Sequence, residues 1–456
     1  MAPLLLFAAL GLLGLFSIWS GQYAVSILLM AALPIGWAVL RRPAWAAAVT
    51  LASASFSVEL LPGSTITPFK LLLVSNTGLM AMAFAAGSKL PRPPGAWPVI
   101  YGAFIIWAMI VDLVYAQNGM DLVRIGGVVL TLMVFTHGIK VRADINAVVI
   151  VLLGLLAVMA LHLFNELGLR WWLSAAVVRG SGLVGNPNGT AQTAIGVAGL
   201  TLALSALSTL PRMPVVIGTF VSLLLVLFMT VSRGAVVSVV VGLVIFAWVY
   251  PRTFRQRAKT LGAIAAVVVI FLATMPAAFE ARMLQTVETD RGSGAVTIDD
   301  SSRTELNLIA LDIILDSPML GVGTEGFPVI AERLVGLPYV CHNSYLGAGS
   351  AYGLFGLFLH LLLMFWTPAL CWRRLRDAPD EERQFWASYF SMTIAFAAIA
   401  GSLPLLVTPL QSVIAVMPSL LLGSVLAREV TSHRRRDAVA RERAAMRARL
   451  AESRRG

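Results

Sequence analysis

Runs of about twenty apolar residues, separated by short polar stretches, repeat along nearly the whole chain. A helix needs roughly 20 such residues to cross the hydrocarbon core of a bilayer. Fourteen segments qualify: 3–19, 22–40, 44–61, 67–86, 97–116, 122–139, 144–165, 188–207, 214–231, 234–250, 259–276, 344–366, 384–406 and 408–427. The third, tenth and last two are the weakest, so the pattern predicts about 12–14 spans in an all-α, polytopic transmembrane helix bundle. Residues 1–19 lack a basic leader and end in a poor cleavage sequence, and they read as the first retained span.

One stretch, 277–343, breaks the rhythm. Ser302-Arg303-Thr304-Glu305 has the form of a capping box. Leu306, Ile309 and Ile313 follow at helical spacing, and Pro318, Gly321 and Gly323 end that helix. This loop is expected to fold onto the ends of the spans. The organisation that results is a bundle over 1–276, a folded loop over 277–343, further spans over 344–427 and a basic tail over 428–456.

Composition sharpens the picture. The 456 residues are 58% hydrophobic and 12% charged, about half the charge of a soluble domain, with mean hydropathy +0.83. A large soluble core is excluded. The net charge of +11 would suit a nucleic-acid partner, but the cations sit in short loops between apolar runs, so no nucleic acid is expected. Loops after even-numbered spans hold Arg41, Arg42, Lys89, Arg92, Lys140, Arg142, Arg212, Arg252, Arg255, Arg257, Arg373, Arg374 and Arg376. The positive-inside rule assigns those loops and both termini to the cytoplasm, and 277–343 to the outside. On that scheme 214–231 and 234–250 form a tight outer hairpin at Ser232-Arg233-Gly234. The tail has ten arginines against four acids and reads as a solvated helix near anionic membrane lipids. Cys341 and Cys371 fall on opposite sides of a span, so they are not expected to pair, and neither suggests a metal site.

Ionisable groups in spans point to function. Lys70, Asp112 and Arg124 lie at the outer ends of theirs, where snorkelling or an Asp–Arg pair is an equal explanation. A transporter would hold such groups near the midplane. Three arginines stand out. Arg179 opens the Gly-rich turn Arg179-Gly-Ser-Gly-Leu-Val-Gly-Asn186-Pro-Asn188-Gly; Arg233 starts a span; Arg303 lies in the first turn of the loop helix. A cation at a helix N-terminus opposes the macrodipole, a conflict that a bound anion removes. One such arginine is more often paired to a headgroup or carboxylate; three in similar settings read as an anion clamp. His342, before Asn343-Ser344-Tyr345, is the one histidine assigned to an outer loop. A His-Asn pair there is commonly a helix cap, yet an imidazole is also the usual general base. Glu288, Asp290, Asp299 and Asp300 lack metal-ligand spacing with any histidine and read as solvated surface.

Taken in order, four segments resemble the O-antigen ligase and O-antigen polymerase superfamily: Arg179 through Asn188; Ser232-Arg233-Gly234-Ala235; Ser302-Arg303 through Gly321-Val-Gly323-Thr-Glu-Gly326-Phe327; and His342-Asn343-Ser344-Tyr345-Leu346 with Gly353-Leu-Phe-Gly356. The likeness covers roughly the second half of the chain. It implies a bacterial inner-membrane glycosyltransferase that moves a glycan from an undecaprenyl-pyrophosphate carrier to an acceptor hydroxyl on the periplasmic side. No metal or other cofactor is implied. Basic residues would hold the pyrophosphate and a loop histidine would lie near the acceptor. The acceptor is the lipid A core in ligases and another glycan in polymerases. Carried onto this chain, His342, Arg303 and Arg233 become the catalytic candidates. Arg179, Asn186, Asn188, Lys70, Arg124, Asn343 and Tyr345 become the substrate-binding ones. Direct displacement would invert the anomeric carbon. Ligase is favoured, polymerase stays open, and the competing class is a transporter or flippase for a lipid-linked sugar.

Overall fold

The structure, a computed structural model, describes residues 97–117, 142–168, 179–184, 186–277, 279–280, 301–336 and 338–400, with isolated residues at 45, 48, 49, 442 and 446. Lys70, Arg124, the loop acids 288–300, the tail and the spans expected before 97, at 122–139 and at 408–427 lie outside them. Among the described residues every regular element is helical: α1 Trp97–Val114, α2 Arg142–Leu167, a 3-10 turn Gly182–Val184, α3 Pro187–Ser205, α4 Arg212–Thr230, α5 Arg233–Val249, α6 Phe254–Ala273, α7 Ser301–Asp316, α8 Gly326–Val335, α9 Ser344–Asp377 and α10 Asp380–Ala400.

Four of these are long and apolar enough to cross a bilayer, namely Asp144–Leu167, Arg212–Thr230, Phe254–Ala273 and Ser344–Asp377, and Val99–Val114 and Arg233–Val249 are shorter apolar helices. The protein is an all-α integral membrane protein. Helices α3 and α10 fill the middle of the bundle. From Gly189 onward nearly all of α3 is buried, Thr190, Gln192, Thr193, Thr201 and Ser205 included. A helix that faces protein on all sides packs by close approach, through small residues, and does not need a lipid-like surface. Gly196 accordingly lies under the Phe396 ring and Gly199 under Met392 of α10. Leu152, Leu156, Met159 and Leu163 of α2 form a fully buried stripe at helical spacing.

The chain turns sharply at Ser232, but the expected hairpin does not close on itself. Helix α4 packs on α2 and α3, whereas α5 packs on α10. At the other end of α5, Arg383 donates to the carbonyls of Val249 (2.8 Å), Tyr250 (3.0 Å) and Leu375 (3.3 Å). It thus closes the C-termini of two helices, where a cation complements the dipole. Arg252 pairs with Asp380 and donates to the Ala378 carbonyl at 3.0 Å. The arginines that ended expected spans thus gather at one end of the bundle.

Helix α9 corrects the expectation of one span over 344–366. At Gly353 (φ 69°, ψ −173°) the helix breaks. The Tyr345 ring sits 5.7 Å from His360 and 6.4 Å from Phe365, where a continuous helix would separate 345 and 360 by about 22 Å. The limb 344–352 therefore doubles back along 354–377. Such a break orphans backbone groups, and four of them find partners outside the helix. The carbonyls of Ser350 and Ala351 accept from Val322 and Gly323 N–H, both at 2.9 Å, and Leu354 N–H donates to the Pro318 carbonyl at 2.7 Å. Trp107 Nε1 donates to the Tyr352 carbonyl at 2.8 Å.

Within the loop the described residues hold two helices, α7 and α8. Leu306, Ile309, Ala310 and Ile313 of α7 bury with Phe327, Ala331 and Cys341 into a small core of their own. Helix α7 starts at Ser301, so Ser302 lies inside its first turn rather than capping it.

Candidate active site

Two clusters form at the end of the bundle opposite Arg383. The first is built on the Gly-rich turn. Asn186 caps α3, its Oδ1 accepting from Asn188 N–H (2.9 Å) and Gly189 N–H (3.2 Å), as a short polar residue before Pro187 should. Glu166, at the end of α2, accepts from Ser181 N–H (2.9 Å), Ser181 Oγ (2.8 Å) and Gly182 N–H (3.0 Å). Gly180 N–H donates to the Met229 carbonyl at 3.0 Å. Those backbone donors, which could have cradled an anion, are thus already bound. Arg179 has a different setting from the one its sequence position suggested. Its Nε donates to the Thr230 carbonyl (3.0 Å) and Nη2 to Asn188 Oδ1 (2.6 Å). It sits at the C-terminus of α4, where its charge complements the macrodipole. Asn188 Oδ1 also accepts from Ser232 Oγ at 3.1 Å, which ties the turn to the start of α5. Half-buried Arg233 is the first residue of that helix. Between Thr230 and Ser232, buried Val231 holds the left-handed conformation (φ 48°, ψ 43°), an outlier for a β-branched residue.

The second cluster is built on the loop. Asn343 caps the short limb of α9, its Oδ1 accepting from Tyr345 N–H (3.0 Å) and Leu346 N–H (3.2 Å). Tyr345 donates its hydroxyl to the Ala397 carbonyl at 2.6 Å. His342 is half-buried, and its Nδ1 is buried without a hydrogen-bond partner. Burial first, then the nearby Arg303 guanidinium, holds its pKa below the ordinary imidazole value. A fold that brings Arg303 and His342 within electrostatic reach keeps that imidazole neutral, the form a proton acceptor needs. Cys341 is buried beside Asn307, and burial pushes its thiol up to about 11, which leaves it unsuited to act as a nucleophile.

Both clusters flank α10. Tyr345 binds Ala397, and Gly242 of α5 packs on Ala395. With 1.5 Å of rise per residue along α5, Arg233 lies about 10 Å from the depth of Tyr345. Sequence reasoning did not single out Glu166, Thr324 or Gln117. It noted Asp112, but its carboxylate meets Thr324 rather than an arginine among the described residues. No cluster of three or more His, Cys, Asp or Glu side chains forms among the described residues.

The fold and these two clusters define a class: an all-helical membrane protein whose polar chemistry is collected at one end, under a folded loop. Residues 218–361 match the family described as O-antigen ligase. The motifs at 232–235, 302–327 and 342–356 lie inside that match, and the turn at 179–188 precedes it. That matched segment, about a third of the chain, supports a place for the chain among the membrane glycan transferases of the O-antigen ligase and polymerase type. No curated protein matches it.

Proposed function

We propose that the chain transfers a glycan from an undecaprenyl-pyrophosphate carrier to an acceptor hydroxyl at the periplasmic face of a bacterial inner membrane, as a ligase whose acceptor is the lipid A core. The family match supports a lipid-linked glycan and a glycan acceptor in general. The observation that carries the mechanism is a half-buried His342 with Arg303 close enough, after burial itself, to disfavour its charged form. In this reading His342 takes the proton of the acceptor hydroxyl as that oxygen attacks the anomeric carbon, and the bond to the carrier phosphate breaks with inversion. The leaving pyrophosphate gains charge in the transition state, and preorganised cations aimed there lower the barrier. Arg233 and Arg303, both in first turns of helices, supply that charge, and Arg179 completes the positive lining while holding the turn. The step needs no metal. Termini in the cytoplasm and the 277–343 loop in the periplasm follow from the lysine and arginine distribution. Polymerisation onto another carrier-linked glycan would use the same step with a different acceptor.

The test is glycan transfer by purified protein with carrier-linked glycan and lipid A core. A general base contributes about 10²–10⁴-fold, so His342→Ala should lose nearly all turnover while still binding the carrier. A variant that keeps a third of wild-type turnover rules out the base. Transfer to carrier-linked glycan but not to lipid A core replaces ligase by polymerase.

A further inference from the structure

Asp112 is a buried carboxylate, 3% exposed, near the end of α1. Its Oδ1 accepts from Thr324 N–H and its Oδ2 from Thr324 Oγ1, both at 2.8 Å. Thr324 Oγ1 also shares a hydrogen bond of 2.7 Å with the Tyr352 hydroxyl. The residues just after α1 grip the same loop. Tyr115 donates its hydroxyl to the Gly321 carbonyl (2.7 Å). Gln117 donates to the Val322 carbonyl (2.9 Å) and accepts from Glu325 N–H (2.8 Å). The loop 321–325 in turn fills the break of α9 through Val322 and Gly323 N–H. Gly321 and Gly323 both have positive φ, and a Cβ on Gly321 would meet the backbone of Ser350 and Ala351. The loop therefore sits hard against the break and is held there from α1.

Two arms leave this latch. Helix α7 runs back from it to Arg303, about 22 Å by helix rise, and the short limb of α9 runs back to His342, about 15 Å. The arms pack side by side, with Ile314 against Gly349 near the latch and Asn307 beside Cys341 near the tips. A tilt of about 5° at the latch moves the Arg303 tip by about 2 Å, and a displacement of about 1 Å can lower a rate about 10²-fold.

We propose that Asp112 is a positioning residue: through Thr324 it locks the latch from which both arms extend, and so sets Arg303 against His342. The inference rests on the transferase reading for its consequence in turnover, but the geometry has its own assay. Asn307→Cys introduces a thiol next to native Cys341, and the rate of disulfide formation under a mild oxidant reports the packing of the arm tips without any substrate. Asp112→Ala leaves Thr324 N–H without its acceptor and Thr324 Oγ1 with only the Tyr352 hydroxyl, and should slow that cross-link several-fold. Asp112→Asn retains one acceptor and gains a donor that can face Thr324 Oγ1, so it should restore the rate. In the transfer assay, without the Asn307 change, Asp112→Ala should lower kcat at least about tenfold with KM for the carrier-linked glycan within about twofold, and Asp112→Asn should recover most of kcat. If Asp112→Ala protein proves too unstable, Thr324→Val removes only the hydroxyl arm of the contact and should give the same pattern, weaker. An unchanged cross-link rate in Asp112→Ala, or equal damage from Asp112→Asn and Asp112→Ala, overturns the proposal. An Asp112-dependent cross-link in the Asn307→Cys protein, together with no glycan transfer by the wild type, upholds the latch and overturns the transferase reading.

Discussion

Gly353→Ala should be among the most damaging single-methyl additions to this protein. With φ 69° and ψ −173°, Gly353 occupies a backbone region that is essentially closed to other residues and that costs about 1–3 kcal/mol when forced. Space is a second obstacle. A Cβ there would press on the Met319 carbonyl and lie 2.7 Å from the Pro318 oxygen, backbone atoms that cannot rotate away. Relief requires the two limbs of α9 to part from the loop. That gives up the bonds from Leu354 N–H to Pro318, Val322 N–H to Ser350 and Gly323 N–H to Ala351, at about 1 kcal/mol net each. The sum is about 4–6 kcal/mol. Two glycines provide the scale. Gly336 has φ 79° with open space around its missing Cβ, so Gly336→Ala should lower stability by about 1–2 kcal/mol from the left-handed conformation alone. Gly102 is helical and equally open, so Gly102→Ala should raise stability by about 0.5–1 kcal/mol. Thermal unfolding of the three variants in one detergent, followed by fluorescence and by size-exclusion, checks the order. If Gly353→Ala melts with Gly102→Ala, the doubled-back limb is wrong.

The pH dependence of transfer should reflect His342. Its pKa is depressed in the fold, so the acid limb of kcat/KM should lie below the ordinary value of about 6.5, and Arg303→Gln should move it up. The same depression means that this group's contribution to stability is present at neutral pH and is lost as pH falls from its ordinary pKa through its folded one, which acid-side melting curves check. Arg383→Met leaves the C-termini of α5 and the long limb of α9 uncapped and should lower stability by about 1–2 kcal/mol with donor KM unchanged. Arg179→Lys loses the planar fork that binds Thr230 and Asn188 and should lower the melting temperature more than it raises donor KM, whereas Arg233→Gln should do the reverse.

Much of this was legible from local pattern. Seven of the expected spans correspond to described helices with ends shifted by a few residues, and the eighth, 344–366, falls on the broken α9, because twenty-residue apolar runs leave the backbone no alternative to helix. Asn186 and Asn343 were visible as short polar residues at helix starts. The reversal in α9 was not, since residues 344–366 remain helical and mostly apolar on both sides of Gly353 and periodicity carries no sign for a change of direction. The contact between Asp112 and Thr324 spans 212 positions, and that of Arg179 with Thr230 spans 51. Nothing in the spacing of either pair encodes the tertiary partner. Arg179 shows the consequence: its sequence neighbour is the start of α3, but in space it bonds the Thr230 carbonyl at the end of α4 as well as Asn188.

That difference separates the three arginines by electrostatics. At the end of α4, Arg179 meets partial negative charge from carbonyls and gains from its position in the resting protein. Arg233 and Arg303 each stand in a first turn, where the helix presents partial positive charge and a cation loses about 0.3–1 kcal/mol. A fold selected only for stability would place an acid or a small polar residue there. The penalty turns into a gain when a pyrophosphate, with one negative charge on each phosphate, enters, because the helix N–H groups and the guanidinium then attract the same ligand. The two costly positions are also the two inside the family match, and Arg303 is the one whose charge is felt by His342. Burial first, and then this cation, disfavour the charged imidazolium. On the proposed mechanism, a pyrophosphate that neutralises Arg303 would lower the repulsion from that cation, so the imidazole would gain proton affinity at the stage when the acceptor hydroxyl must give its proton up. On the same mechanism, donor binding and base strength would be coupled through one side chain, and the site would act on the acceptor only after the carrier-linked glycan is in place.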